Sequence, residues 1–122
     1  MNKKDAAVSF LRLAASGKAR GAYEKYVHPD FRHHNVYFRG DGESLLVAME
    51  ENARQCPDKV FEPIRAFEDG DFVIVHGKVR LTPGGSDYVL IHIFRFAGDL
   101  IIEEWEAASE VPKDSPNENG AF

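Results

Sequence analysis

The apolar positions of the chain change their period once, near residue 60. Before that point they recur at three- and four-residue spacing, and after it they crowd into short runs between glycine turns. Val8, Leu11 and Ala15 share one helical face, with Phe10 and Ala14 beside them, and Asp5 stands where a cap would. This predicts a first helix that Gly17 or Gly21 ends or breaks. Residues 19–27, ARGAYEKYV, predict a short second helix that stops before His28-Pro29, because proline pushes the residue before it out of helical geometry. Residues 42–56, GESLLVAMEENARQC, predict a third, with Leu45, Leu46, Met49 and Ala53 on its buried side and Pro57 as its stop.

From Val60 onward the pattern predicts strands at 60–67, 72–81, 88–96 and 100–108. Asp69-Gly70 and Gly98-Asp99 are tight hairpin signals, and Pro83-Gly84-Gly85 is a looser one. The expected fold is α+β: a four-stranded antiparallel meander with helices packed on one face. Residues 1–122 read as one domain, with 110–122, polar and rich in Pro and Gly, as an extended C-terminal arm. The strands that begin at Phe72 and Tyr88 are apolar at both parities, whereas a sheet with one wet face alternates. Helices cover one face. The second face calls for another copy of the chain, a homodimer through the sheet, or for cover by the arm.

A formal net charge of −5 argues against nucleic acid or an anionic membrane as a partner. No apolar run is long enough to span a bilayer, and Asp5, Ser9 and Arg12 interrupt the N-terminal one, which reads as part of the fold. Cys56 is the single cysteine, so no internal disulfide forms and a cytoplasmic location is the default expectation.

Helices over one end of a curved sheet leave a pocket, commonly apolar with a few polar groups aimed inward. His92 shares its parity with Leu90, Phe94 and Phe96, so it points where they point. His76 shares parity with Phe72 and Ile74 but also with Lys78 and Arg80, which leaves its direction open. Glu106 follows Trp105 and shares parity with Ile102 and Glu104. His33 and His34 are adjacent, so only one faces the pocket. We take His34, with Asn35, as its polar lip, and Tyr37, Tyr88 and Trp105 as further ligand-facing candidates. The five histidines show no H-x-x-x-H spacing and no paired cysteines accompany them, so no metal is expected; a His34–His76–His92 cluster is the arrangement that would reverse this. Cys56 has no nucleophile motif around it, and the glycine pairs are turns, not phosphate loops.

The segments DGDFVIVHGKV and IHIFRFAGDLIIEEWEA, the tail VPKDSPNENGAF and the His-Asn pair at 34–35 together resemble the NTF2-like superfamily, and within it the SnoaL-like polyketide cyclase group of predicted aldol-condensation enzymes. The resemblance covers nearly the whole chain. It implies a cone-shaped α+β barrel with a strongly curved, mainly antiparallel sheet, a deep pocket and dimerisation through the sheet. In the cyclases an acid near the end of the last strand is the general base, without metal or cofactor. Glu106 matches that position, where relatives often carry Asp. His92 also falls where relatives often have Asp, and the histidine of VIVHG marks His76 as a family feature. The expected activity is acid–base chemistry, an aldol-type cyclisation or an isomerisation, on a small and partly apolar carbonyl compound. Glu106 or His92 would take the proton, and His34 and Asn35 would hydrogen-bond the oxygen where charge develops. The alternative is a non-catalytic, dimeric binder of a small ligand.

Overall fold

Caps and small residues set the helices. The computed structural model describes residues 2–122. In it Asn2, not Asp5, caps α1 (Lys3–Ala15), its side chain accepting the Asp5 amide at 2.8 Å. The helix stops ahead of Gly17, while Gly21 lies inside α2 (Ala19–Tyr26). Asp41 caps α3 (Gly42–Gln55) by accepting the Ser44 amide at 2.9 Å and its hydroxyl at 2.8 Å.

Four antiparallel strands follow in a meander: β2 (Val60–Asp69), β3 (Phe72–Arg80), β4 (Asp87–Ala97) and β5 (Leu100–Glu110). Gly70 and Gly98 hold the two tight turns at φ of 60° and 61°, the left-handed region in which a side chain is strained. A fifth strand precedes them. Val27–His33, read from the sequence as the end of a helix and a connector, is strand β1, which we number ahead of β2 in chain order. It pairs in parallel with β5, so the sheet order is β1-β5-β4-β3-β2. The sheet is mixed and stays open, with β1 and β2 as its edges. Pro29 is compatible with that edge position, where a missing amide costs no central ladder bond. Register shifts at Pro63/Arg65 and Arg95/Phe96 bend the sheet.

Strand alternation then separates two faces. The inner face buries Val73, Val75, Phe94, Phe96 and Ile101 under Ala6, Ala7 and Phe10 of α1, Ala22 and Tyr26 of α2, and Leu45 of α3. Alanines let the helices approach closely, and Phe10 fills the space between them, its ring edge-on to Phe94 at 5.9 Å. Gly77 is required for a related reason: a Cβ there would lie 2.8 Å from the Phe61 ring, which crosses the strand. The outer face leaves Phe67, Phe72 and Ile74 exposed, around a shallow depression also lined by Ile93. Apolar residues at both parities thus have distinct addresses, one under the helices and one on this patch. Residues 111–122 form no helix or strand, and the chain returns so that Phe122 stacks on His76 and lies under Lys78. No helix among the described residues is long and apolar enough to cross a membrane.

Candidate functional site

The parallel pairing of β1 fixes which polar groups meet. Its last register pair is His33 with Glu104; beyond it the edge of β5 is free, and the loop after His33 folds across that edge. On β4, His92 lies directly opposite Glu106. Alternation puts His92, Glu104 and Glu106 on the inner face. Two of them are buried outright, His92 at 6 % exposure and Glu104 at 1 %. Glu106 is the one that reaches solvent. It lies on a cleft of about 360 Å³ that His34, Asn35, Val36, Tyr37, Ala107 and Ala108 also line.

The contacts around Glu106 are specific. Asn35 Nδ2 donates to Glu106 Oε1 at 2.7 Å, and His92 Nε2 lies 3.3 Å from Glu106 Oε2. Asn35 is itself held, since its Oδ1 accepts the Tyr37 amide at 3.1 Å. Its own amide donates to His33 Nδ1 at 3.1 Å, and His33 Nε2 donates to the Arg39 carbonyl at 2.6 Å. His33 therefore has both ring nitrogens in use and braces the loop that carries Asn35.

Behind this pair Glu104 has no hydrogen-bond partner for either oxygen, and His92 Nδ1 has none either. Glu104 Oε1 is 3.7 Å from His92 Nε2. Burial, reinforced by the charge on Glu106 and opposed by His92, pushes the Glu104 carboxyl up to about 8. Burial also acts against charge on His92, but hydrogen bonding to Glu106 and the two nearby carboxylates outweigh it, and its net shift is upward. For Glu106 burial acts upward, and the His92 contact and the Asn35 hydrogen bond outweigh it, so its carboxyl stays below the usual range. One end of the cleft thus presents an ionised carboxylate, with an imidazole beside it and a carboxylic acid behind.

Three of the residues singled out from the sequence, His92, Glu106 and Asn35, converge here. His34 does not. The register that turns His33 inward turns His34 outward, where it stacks on Trp105 at 4.9 Å and contacts Glu103 at 2.7 Å. Trp105 is accordingly an outer-face residue whose ring also approaches Phe72. His76 is on the outer face too, between Arg65 and Phe122, so His34, His76 and His92 form no cluster. Tyr37 stands exposed at the lip of the cleft. Tyr88 shares the inner parity but sits four residues along β4 from His92, donating to Glu110 at 3.4 Å. The sequence reading did not select Glu104 or His33. Glu104's signal was its shared parity with Glu106, hidden in a run of acids; His33 had none until the pairing partner of β1 was known.

A SnoaL-like domain model matches residues 7–104. The chain belongs to the SnoaL-like family. Solved structures agree with the fold. AclR from Streptomyces galilaeus, a candidate hydroxylase, superposes with a TM-score of 0.74 at 17% identity over 88% of both chains. IdmH from Streptomyces antibioticus, a candidate polyketide cyclase, gives 0.72 at 17% identity over 89% of this chain and 93% of its own. A further candidate polyketide cyclase, from Acidithiobacillus ferrooxidans, gives 0.72 at 18% identity over 88% and 87%. No curated protein matches this SnoaL-like chain by sequence. At such identities the likeness establishes an NTF2-like α+β fold, and the chemistry has to be argued from the residues of this SnoaL-like domain itself.

Proposed function

We propose that this SnoaL-like protein binds a small, partly apolar carbonyl compound in the Asn35–Glu106 cleft and transfers a proton at the carbon next to the carbonyl. Glu106 is the base and His92 its proton-holding partner. The observation that carries this reading is the Glu106 carboxylate itself, open to the cleft on one side and held by Asn35 and His92 on the other. A base needs reach first and a suitable charge state second, and Glu106 has both. Asn35 serves as a positioning residue, because its amide nitrogen is committed to Glu106 and not to a substrate oxygen. The enolate formed could close a ring by aldol addition or be reprotonated elsewhere as an isomerisation; the family and its cyclase-named neighbours support the first.

One observation favours a second reading, a dimeric ligand-binding module without turnover. His92 and Glu104 are closed off behind Glu106, and the exposed Phe67, Phe72 and Ile74 offer a face on which two copies could join. The two readings separate in heavy water. The protein is incubated with a panel of small cyclic and acyclic ketones, and deuterium uptake at the α-carbon is followed by NMR. Wild type exchanges, and Glu106→Gln slows exchange by roughly 10²–10⁴-fold, the usual worth of a positioned base. Equal rates in wild type, Glu106→Gln and His92→Ala would remove the enzyme reading, and sedimentation of the same samples reports the dimer.

A further inference from the structure

Glu104 plays no part in the acid–base reading, yet it is among the costliest side chains in the interior. It is 1 % exposed, and neither of its oxygens has a partner. An orphaned buried carboxyl forfeits its hydration with nothing in return. Its company is set by the backbone: Glu104 and Glu106 lie two residues apart on one face of β5, and His92 lies across from Glu106 on β4. Two alternate residues of one strand and a cross-strand neighbour make a compact triangle of side chains. One donor atom from each residue lies within 4.8 Å of the other two.

We propose that His92, Glu104 and Glu106 form a binding site for a divalent cation of the zinc class. The two separations from His92 suit it, and the two carboxylates lie within 4.8 Å of each other. Zinc bonds of about 2.0–2.2 Å to imidazole nitrogen and carboxylate oxygen correspond to tetrahedral edges of about 3.3–3.6 Å. His92 Nε2 is 3.3 Å from Glu106 Oε2 and 3.7 Å from Glu104 Oε1. The charges suit it as well: Glu104 is buried and Glu106 half-buried beside it, and a cation between them would offset their mutual repulsion when both are ionised. The donor set, one imidazole and two carboxylates without thiolate, selects borderline transition ions over magnesium and calcium, which take oxygen ligands. Glu106 also has the outer support that ligating carboxylates carry: Asn35 holds Oε1 and leaves Oε2 turned toward His92. The cleft at Glu106 gives the ion access, and three protein donors leave a fourth position for water or a ligand oxygen.

The inference concerns the cation-loaded protein, in which Glu106 is a ligand, whereas the acid–base reading concerns the cation-free cleft; its test needs no substrate. The protein is stripped with EDTA, dialysed, and titrated with zinc chloride by calorimetry, with magnesium chloride as a parallel run. Wild type binds one zinc per chain and melts at higher temperature with zinc present, while magnesium gives neither effect. Glu104→Gln, an isostere in a pocket that offers its carboxylate no partner, weakens zinc binding at least tenfold. Glu106→Gln does the same from the solvent side and serves if the first variant fails to fold. His76→Ala, on the outer face, leaves zinc affinity unchanged. Absence of saturable zinc binding in wild type overturns the proposal, as does binding that survives both glutamine variants and disappears in His76→Ala, which would place the ion on the surface.

Discussion

Glu103 and Glu104 are neighbours on one strand with identical side chains, and the sheet sends them to opposite circumstances. Glu103 turns outward into a completed clamp. Arg95 donates to Oε1 from Nε at 3.1 Å and from Nη2 at 2.8 Å, Arg32 Nε reaches Oε2 at 3.1 Å, and His34 Nε2 reaches the same oxygen at 2.7 Å. These partners, His34 first and then the two guanidinium groups, draw its carboxyl down to about 2. Glu104 turns inward, meets no hydrogen-bond partner, and is pushed up to about 8. The outer glutamate ties β1, β4 and β5 into one sheet. The inner one is held at a cost to the fold. A group kept in that condition marks where a protein is committed to something besides stability, since perturbed titrations and unpaired buried groups gather at working sites.

The sharpest way to break this contrast is to remove each glutamate and weigh the loss. Glu103→Ala strips charged hydrogen bonds from two arginines and a histidine, and costs about 2 kcal/mol in urea unfolding, the usual scale for bonds to a charged group. In EDTA, Glu104→Gln is expected to leave stability unchanged or raise it, because an amide replaces an acid that had no hydrogen-bond partner. Equal losses in the two variants would mean that Glu104 is as well supported as Glu103, and the contrast would fail.

Acid and base titrations sharpen the same point with opposite signs. Glu103 gives up its proton more readily folded than unfolded, since its carboxyl falls from the ordinary 4.5 to about 2. Its contribution is complete above about 4.5 and is lost as pH falls toward 2. Glu104 holds its proton longer when folded, its carboxyl rising from 4.5 to about 8. Its contribution is complete below about 4.5 and is lost as pH rises toward 8, and the raised His92 acts in the same direction. Thermal melting from pH 2 to 9 in EDTA should therefore show an acid limb that weakens in Glu103→Gln and an alkaline decline that weakens in Glu104→Gln. An alkaline limb unchanged by Glu104→Gln would detach that decline from this residue.

The same two faces explain what the sequence could reveal. Helices and meander were legible because their signals are local: three- and four-residue spacing, Asp69-Gly70 and Gly98-Asp99. His92 and Glu106 were legible because alternation within one strand aims a side chain once its neighbours' burial is guessed. β1 was not, since Val27–His33 is mostly polar, contains Pro29, and pairs with a strand some seventy residues away and in parallel, where no hairpin announces it. That one omission left open which of His33 and His34 turns inward. Adjacent histidines point apart in any extended chain, and only the register with Glu104 says which points in. Glu104 stayed hidden for another reason: it looks like any solvated member of an acidic run until its face of β5 is known to be buried.

The smallest expected effect tests whether Asn35 belongs to the inner, working side or is merely part of a tidy loop. Asn35→Ala removes one donor from the Glu106 carboxylate, worth about 1.5 kcal/mol or roughly tenfold in proton-exchange rate if the bond aims the base. A second consequence separates aim from structure. The Asn35 hydrogen bond helps hold the Glu106 carboxyl below its ordinary value, so its loss lets that carboxyl rise. The base must be ionised to act, and the acid limb of the exchange profile should then move to higher pH. Asn35→Gln, which keeps the donor on a longer arm, should restore part of the shift. A slower variant whose pH profile does not move would assign Asn35 to loop folding alone, and Glu106 would then owe its low carboxyl value to His92.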